Sequence, residues 1–173
     1  MLGALRAQDH KDPETLGIYA RTWMDRYAKS GDLLELRKSR DLYDEAFEGA
    51  QDDYYTGINA AAKSVLIGTE DDIAKGMKFA ERVEQIVGTE AKRGDYWFTA
   101  TVAEVQLLRR NFELAGKRYA DAVAQAPAER GSHETTWKQA FRLMGKLDPS
   151  SKDRAQVREA FGHLGDGDEL LGH

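Results

Sequence analysis

Three aspartates, Asp12, Asp53 and Asp95, lie 41 and 42 residues apart, and each is followed eight residues later by an alanine, at Ala20, Ala61 and Ala103. The second and third also share an aromatic pair, Tyr54-Tyr55 and Tyr96-Trp97. A spacing near 40 residues restricts the fold more than any other feature of the chain. It is the period of a helical solenoid, in which each unit is a helical hairpin that buries its apolar face only against its neighbours.

The helices can be placed from their end signals. Pro13 suits a first helical position, where its missing N–H is no loss, and Asp12 can accept the free amides behind it. The first hairpin is predicted to run from Pro13 to about Lys29 and from Leu33 to Gly49, turning at Gly31-Asp32. A second pairs Tyr54 to Ile67 with Asp71 to Val87, across Gly68-Thr69-Glu70. In its second helix Ile73, Met77, Ala80, Val83 and Val87 recur at three and four residues, one apolar face at 3.6 residues per turn. The third runs from Tyr96 to Arg109 and from Phe112 to Gln125, stopped by Pro127 and Gly131. Two more helices are expected, Glu134 to Lys146 and Asp153 to His163. The domain expected is a single one over residues 1–164, with units at about 12–50, 53–88 and 95–127 and a flexible tail over 165–173.

Composition excludes several classes. The chain has 173 residues, 41% hydrophobic and 32% charged, with a net charge of −5. That balance opposes a general phosphate-binding surface, which needs clustered Lys and Arg, so no nucleic acid is expected. With no cysteine, disulfides and thiolate metal sites are absent, as suits a reducing compartment. The apolar run from Ile58 to Ile67 is broken by Asn59 and Lys63 and is too short for a bilayer. The start, Met1 to Arg6, lacks the apolar core of a secretory signal, so a cytoplasmic location is expected.

The third hairpin carries the tetratricopeptide pattern of small and aromatic residues: Ala103, Phe112, Ala115, Tyr119, Ala122 and Pro127. Ser39, Tyr43 and Ala46 repeat its small-aromatic-small spacing, whereas the second hairpin has Gly76, Ala80 and Val83 without the aromatic. A narrower resemblance rests on Asp12-Pro13-Glu14-Thr15-Leu16-Gly17 and on the string from Asp53 to Ala61, with Asp95-Tyr96-Trp97 and Ala103-Glu104. These resemble the TRAFs-binding domain of mitogen-activated protein kinase kinase kinases, a tetratricopeptide-like regulatory region with bacterial relatives. The resemblance covers about Asp12 to Leu164 and implies a protein-binding scaffold; TRAF binding itself does not transfer, because partner choice depends on surface residues outside these strings. The expected fold is therefore all-α, a tetratricopeptide-like right-handed superhelix of helical hairpins.

No catalytic constellation is legible. The four histidines, His10, His133, His163 and His173, sit near predicted ends and turns, and none pairs with another at zinc-protease spacing. Nucleophile elbow, phosphate loop, dinucleotide fingerprint and kinase motifs are missing, and Asp166-Gly167-Asp168 is too near the terminus for an EF-hand. No enzyme activity, cofactor or metal is expected. Acidic pairs such as Asp44-Glu45 and Asp71-Asp72 read as solvated helix faces. Asp53 reads as an N-cap, Tyr54 and Tyr55 as packing between hairpins, and Gly57 as a point of close helix approach.

What remains is a surface. In tetratricopeptide arrays the first helix of each pair lines the concave side, which by analogy brings Arg21, Asp25, Tyr55, Ile58, Asn59, Trp97, Ala100 and Glu104 to a groove. Their mixture of aromatic, aliphatic and both charge signs suits a peptide or helix from another protein. The competing assignments are interhelical packing for Tyr55 and Trp97 and a hydrogen bond to a neighbouring helix for Asn59. Self-association into a homo-oligomer is the alternative function. A small-molecule sensor or enzyme with an interhelical pocket near Tyr55 and Asn59 is the alternative from another class.

Overall fold

The computed structural model describes residues 12–165. The expectations for the leader and for the Asp166-Gly167-Asp168 tail, with His10 and His173, lie outside the described residues. Within them the chain is helical hairpins packed neighbour on neighbour, an all-α tetratricopeptide-like repeat fold. It divides into two compact units, one ending at Ile86 and the next beginning at Val87.

The first unit holds α1 (Pro13–Ser30), α2 (Leu33–Gly49), α3 (Tyr54–Ile67) and α4 (Glu70–Val87), the last ending at the unit boundary. Asp12 caps α1, its Oδ2 accepting from the Thr15 amide at 3.0 Å and from the Thr15 hydroxyl at 2.6 Å. Such a cap is worth about 1 kcal/mol. Gly31 ends α1 at φ +69°, a left-handed conformation in which an L side chain would strain. Asp32 and Asp53 cap α2 and α3 through the amides of Leu34 and Tyr55. A reciprocal box opens α4: the Asp72 amide donates to Thr69 Oγ1, and the Thr69 hydroxyl donates to Asp72 Oδ2 at 2.6 Å.

Packing follows from small residues at the crossings. A Cβ on Gly57 of α3 would lie 2.7 Å from Val83 of α4 and 2.9 Å from Phe47 of α2; one on Gly76 of α4 would lie 2.8 Å from the Ala61 carbonyl of α3. Only glycine permits such approaches. In α3 nearly every residue from Thr56 to Ile67 is buried, so that helix is enclosed all round rather than along one stripe. The buried Ser39 hydroxyl ties α2 to α1 by donating to the Ala20 carbonyl at 2.7 Å.

One expectation is corrected here. Asp72 is not on a solvated face: it is only 9% exposed. Its carboxylate receives Arg40 Nη1 at 2.9 Å and Arg37 Nη1 at 3.1 Å, linking α2 to α4. Arg40 is itself buried and also reaches Asp41 and Ser64. Burial raises the Asp72 carboxyl, but the Thr69 hydroxyl and the two guanidinium groups outweigh it and hold the group at about 2. The buried stripe of α4 accordingly runs through Asp72, Gly76, Phe79, Ala80, Val83 and Val87, while Ile73 and Met77 are half-buried at its edge.

The second unit holds α5 (Tyr96–Leu108), α6 (Phe112–Gln125), α7 (Arg130–Leu147), α8 (Ser151–Glu159) and a 3-10 turn (Gly162–Leu164). Asp95 caps α5 through the Phe98 amide at 3.0 Å. Ala103 and Ala115 are wholly buried, and α6 packs on both α5 and α8. Phe161 closes the core against Tyr119 and Trp137, with ring centroids 5.2 Å away in each case. Three ends differ from expectation by more than one residue. Gly131 does not stop a helix but lies exposed in the first turn of α7, where it costs little, so α7 begins at Arg130 rather than Glu134. Ser150 caps α8 through the Asp153 amide, starting it at Ser151, and the chain tightens into the 3-10 turn instead of continuing to His163.

Candidate interaction groove

The 100° step between helical residues puts Glu14, Ile18, Arg21 and Asp25 on one face of α1. Opposite them stands the first turn of α3, with Asp53, Tyr55 and Thr56. Between the two lies an open groove of about 480 Å³, lined by Asp12, Pro13, Glu14, Gly17, Ile18, Arg21, Asp53, Tyr55 and Thr56. Both helices pack on α2, and the buried Tyr43 of α2 meets Tyr55 edge to face, ring centroids 6.2 Å apart. Burial pushes the Tyr43 hydroxyl well above the ordinary phenol range, and the adjacent Tyr55 pushes it the same way.

The groove leaves apolar surface in water. Ile18 is 61% exposed and Tyr55 is 50% exposed, so the assignment of Tyr55 to packing between hairpins holds for one edge of its ring only. The carboxylates of Asp12 and Asp53 are engaged by helix amides. By contrast, the side chains of Glu14, Arg21 and Asp25 form no hydrogen bond or ion pair among the described residues. Exposed apolar side chains gathered in one place and rimmed by polar groups are a mark of interaction sites.

Asn59 turns out to be neither a strut to a neighbouring helix nor a free contact. Its Nδ2 donates to the Tyr55 carbonyl at 2.9 Å and its Oδ1 accepts from Lys63 Nζ at 2.8 Å, both one turn away on its own helix. Lys63 is buried and also sits 5.5 Å over the Tyr43 ring. The amide thus carries a lysine ammonium along the interior of α3, which satisfies all three groups. Ile58 and Ala100 are each 6% exposed; they are core residues and offer a partner no surface.

Trp97 and Glu104 belong to the second unit. Trp97 is 54% exposed and stands edge-on to Tyr96, centroids 5.0 Å apart. Glu104 is half-buried and accepts from Gln139 Nε2 of α7 at 3.1 Å. Sequence reasoning missed a pair in this unit: His133 Nδ1 and His163 Nε2 are 2.9 Å apart. Because His133 Nε2 faces the Ala126 carbonyl at 2.9 Å, it carries the hydrogen, and Nδ1 accepts from His163. Burial, then His133 and Arg130, lower the His163 pKa. Thirty residues separate the two, so no local motif marks them. Among the described residues no group of three or more His, Cys, Asp or Glu is placed to hold a metal ion, and no helix is long and apolar enough to cross a membrane.

A family model described as Tetratricopeptide Repeats-Sensor matches residues 1–64. That stretch takes in every residue lining the groove, from Asp12 to Thr56. The match supports a tetratricopeptide-like domain and stops short of the TRAFs-binding resemblance. No curated protein and no solved structure matches the chain.

Proposed function

We propose that this chain is a noncatalytic protein-interaction or regulatory module that holds a segment of another polypeptide in the groove between α1 and α3. The observation that carries the reading is the placement of exposed Ile18 and Tyr55 around one groove whose flanking charges are unspent. Repeat domains of this architecture usually mediate protein contacts, and the TRAFs-binding resemblance favours a regulatory scaffold without naming the partner. A photo-crosslinking amino acid placed at Ile18 or Tyr55 should trap a polypeptide, and the same group at exposed Lys146 of α7 should not. Equal yields at the three positions would refute the reading.

The matched family's description as a sensor favours a second reading at the same place, a small ligand. The groove volume falls in the range of small-molecule sites. In that case crosslinks to polypeptide would be missing. A small molecule would be released on denaturing the purified protein, and Tyr55→Ala would abolish its retention.

A further inference from the structure

On the face of α1 that carries Ile18, the charges without a hydrogen bond or ion pair among the described residues run acid, base, acid through Glu14, Arg21 and Asp25, with Lys29 one turn further on, away from the groove lining. Glu14 and Arg21 are seven residues apart, about 10 Å along the axis, and Arg21 and Asp25 are four apart, about 6 Å. Ile18 lies between Glu14 and Arg21 on the same face, opposite Tyr55. Among the described residues that line the groove, the other charges, Asp12 and Asp53, are committed to helix amides.

We infer that the polypeptide held in this groove is an amphipathic helix whose charges run cation, anion, cation beside an apolar seam. This rests on the interaction-module reading above and specifies its partner. The spacings of seven and four that align Glu14, Arg21 and Asp25 on α1 are also those that align three side chains on a second helix laid along it. An apolar side chain of that helix would meet Ile18 and Tyr55. A carboxylate would meet Arg21, and a lysine or arginine would meet each of Glu14 and Asp25. A uniformly cationic segment would place a like charge against Arg21, which gives the site its selectivity.

The test uses the full 173-residue chain and synthetic helical peptides of roughly 15 residues on one leucine/alanine framework. The peptides carry the order cation-anion-cation, its inverse, all cations or all anions. Fluorescence anisotropy should show the first binding about tenfold more tightly than any other, with the preference weakening in salt. In the triple variant Glu14→Lys, Arg21→Glu, Asp25→Lys the preference should pass to the inverse peptide. If that variant melts lower, Arg21→Glu alone should erase the discrimination between the first peptide and the all-cation peptide. Equal binding of all four, or all-cation binding as tight as the first, would overturn the charge order while leaving a polypeptide groove. Binding of none would overturn both readings.

Discussion

Replacing Asp72 by Asn tests the polar link between α2 and α4 most directly. The side chain is nearly isosteric, so packing is kept while the charge facing Arg40 and Arg37 is lost. The carboxyl is held at about 2 against an ordinary 3.8. A drop of that size corresponds to at most about 2 kcal/mol, because Arg37 is partly exposed and water screens its share. Because the folded value is the depressed one, the contribution is complete above about pH 5 and disappears as pH falls through 4 toward 2. Urea unfolding of both proteins, followed by circular dichroism at pH 7, 4 and 2.5, should give a stability gap of up to about 2 kcal/mol that closes as the solution becomes acid. A gap independent of pH would show that the amide disturbs packing and that the ion pairs contribute nothing. A gap near zero throughout would show that the cost of burying Arg40 and Asp72 cancels their attraction.

Gly76→Ala should destabilise by about 1–3 kcal/mol despite the higher helix propensity of alanine, because its Cβ would press on the Ala61 carbonyl. Gly145→Ala, with open space at its Cβ, should be neutral or stabilising in the same thermal melt. By proton NMR His163 should titrate below the ordinary histidine value; its share of stability is then present above that value and lost as pH falls, and His133→Phe should move the titration partly back.

Helix ends and hairpin pairing were legible because local chemistry sets them. Asp12, Asp53 and Asp95 cap helices as their positions implied, Gly57 sits at the close approach expected of it, and Ala103 is wholly buried. What escaped were contacts between residues distant in sequence. Asp72 reads as surface until Arg40, 32 residues earlier, is placed beside it. His133 and His163 read as two unrelated turn residues. At the groove, the analogy with tetratricopeptide arrays picked out Arg21 and Tyr55, which line it, but not Ile18, since an isoleucine in an amphipathic helix is ordinarily assigned to the core. Ile58 was misplaced for a related reason: α3 is buried on nearly every side, Lys63 and Ser64 included, so the polar residues in its sequence do not mark an outward face.

The two walls of the groove are unequally anchored. Tyr55 stands on the first turn of a helix with 11 of its 14 residues buried, whereas Ile18 stands on α1, which buries Leu16, Gly17 and Ala20. Local opening costs least where few contacts must be broken. On the reading proposed above, the groove would act as a vice whose Tyr55 jaw is the more deeply seated. A partner of awkward girth would then be accommodated at α1, so breadth of recognition and firmness of grip would be set by different helices.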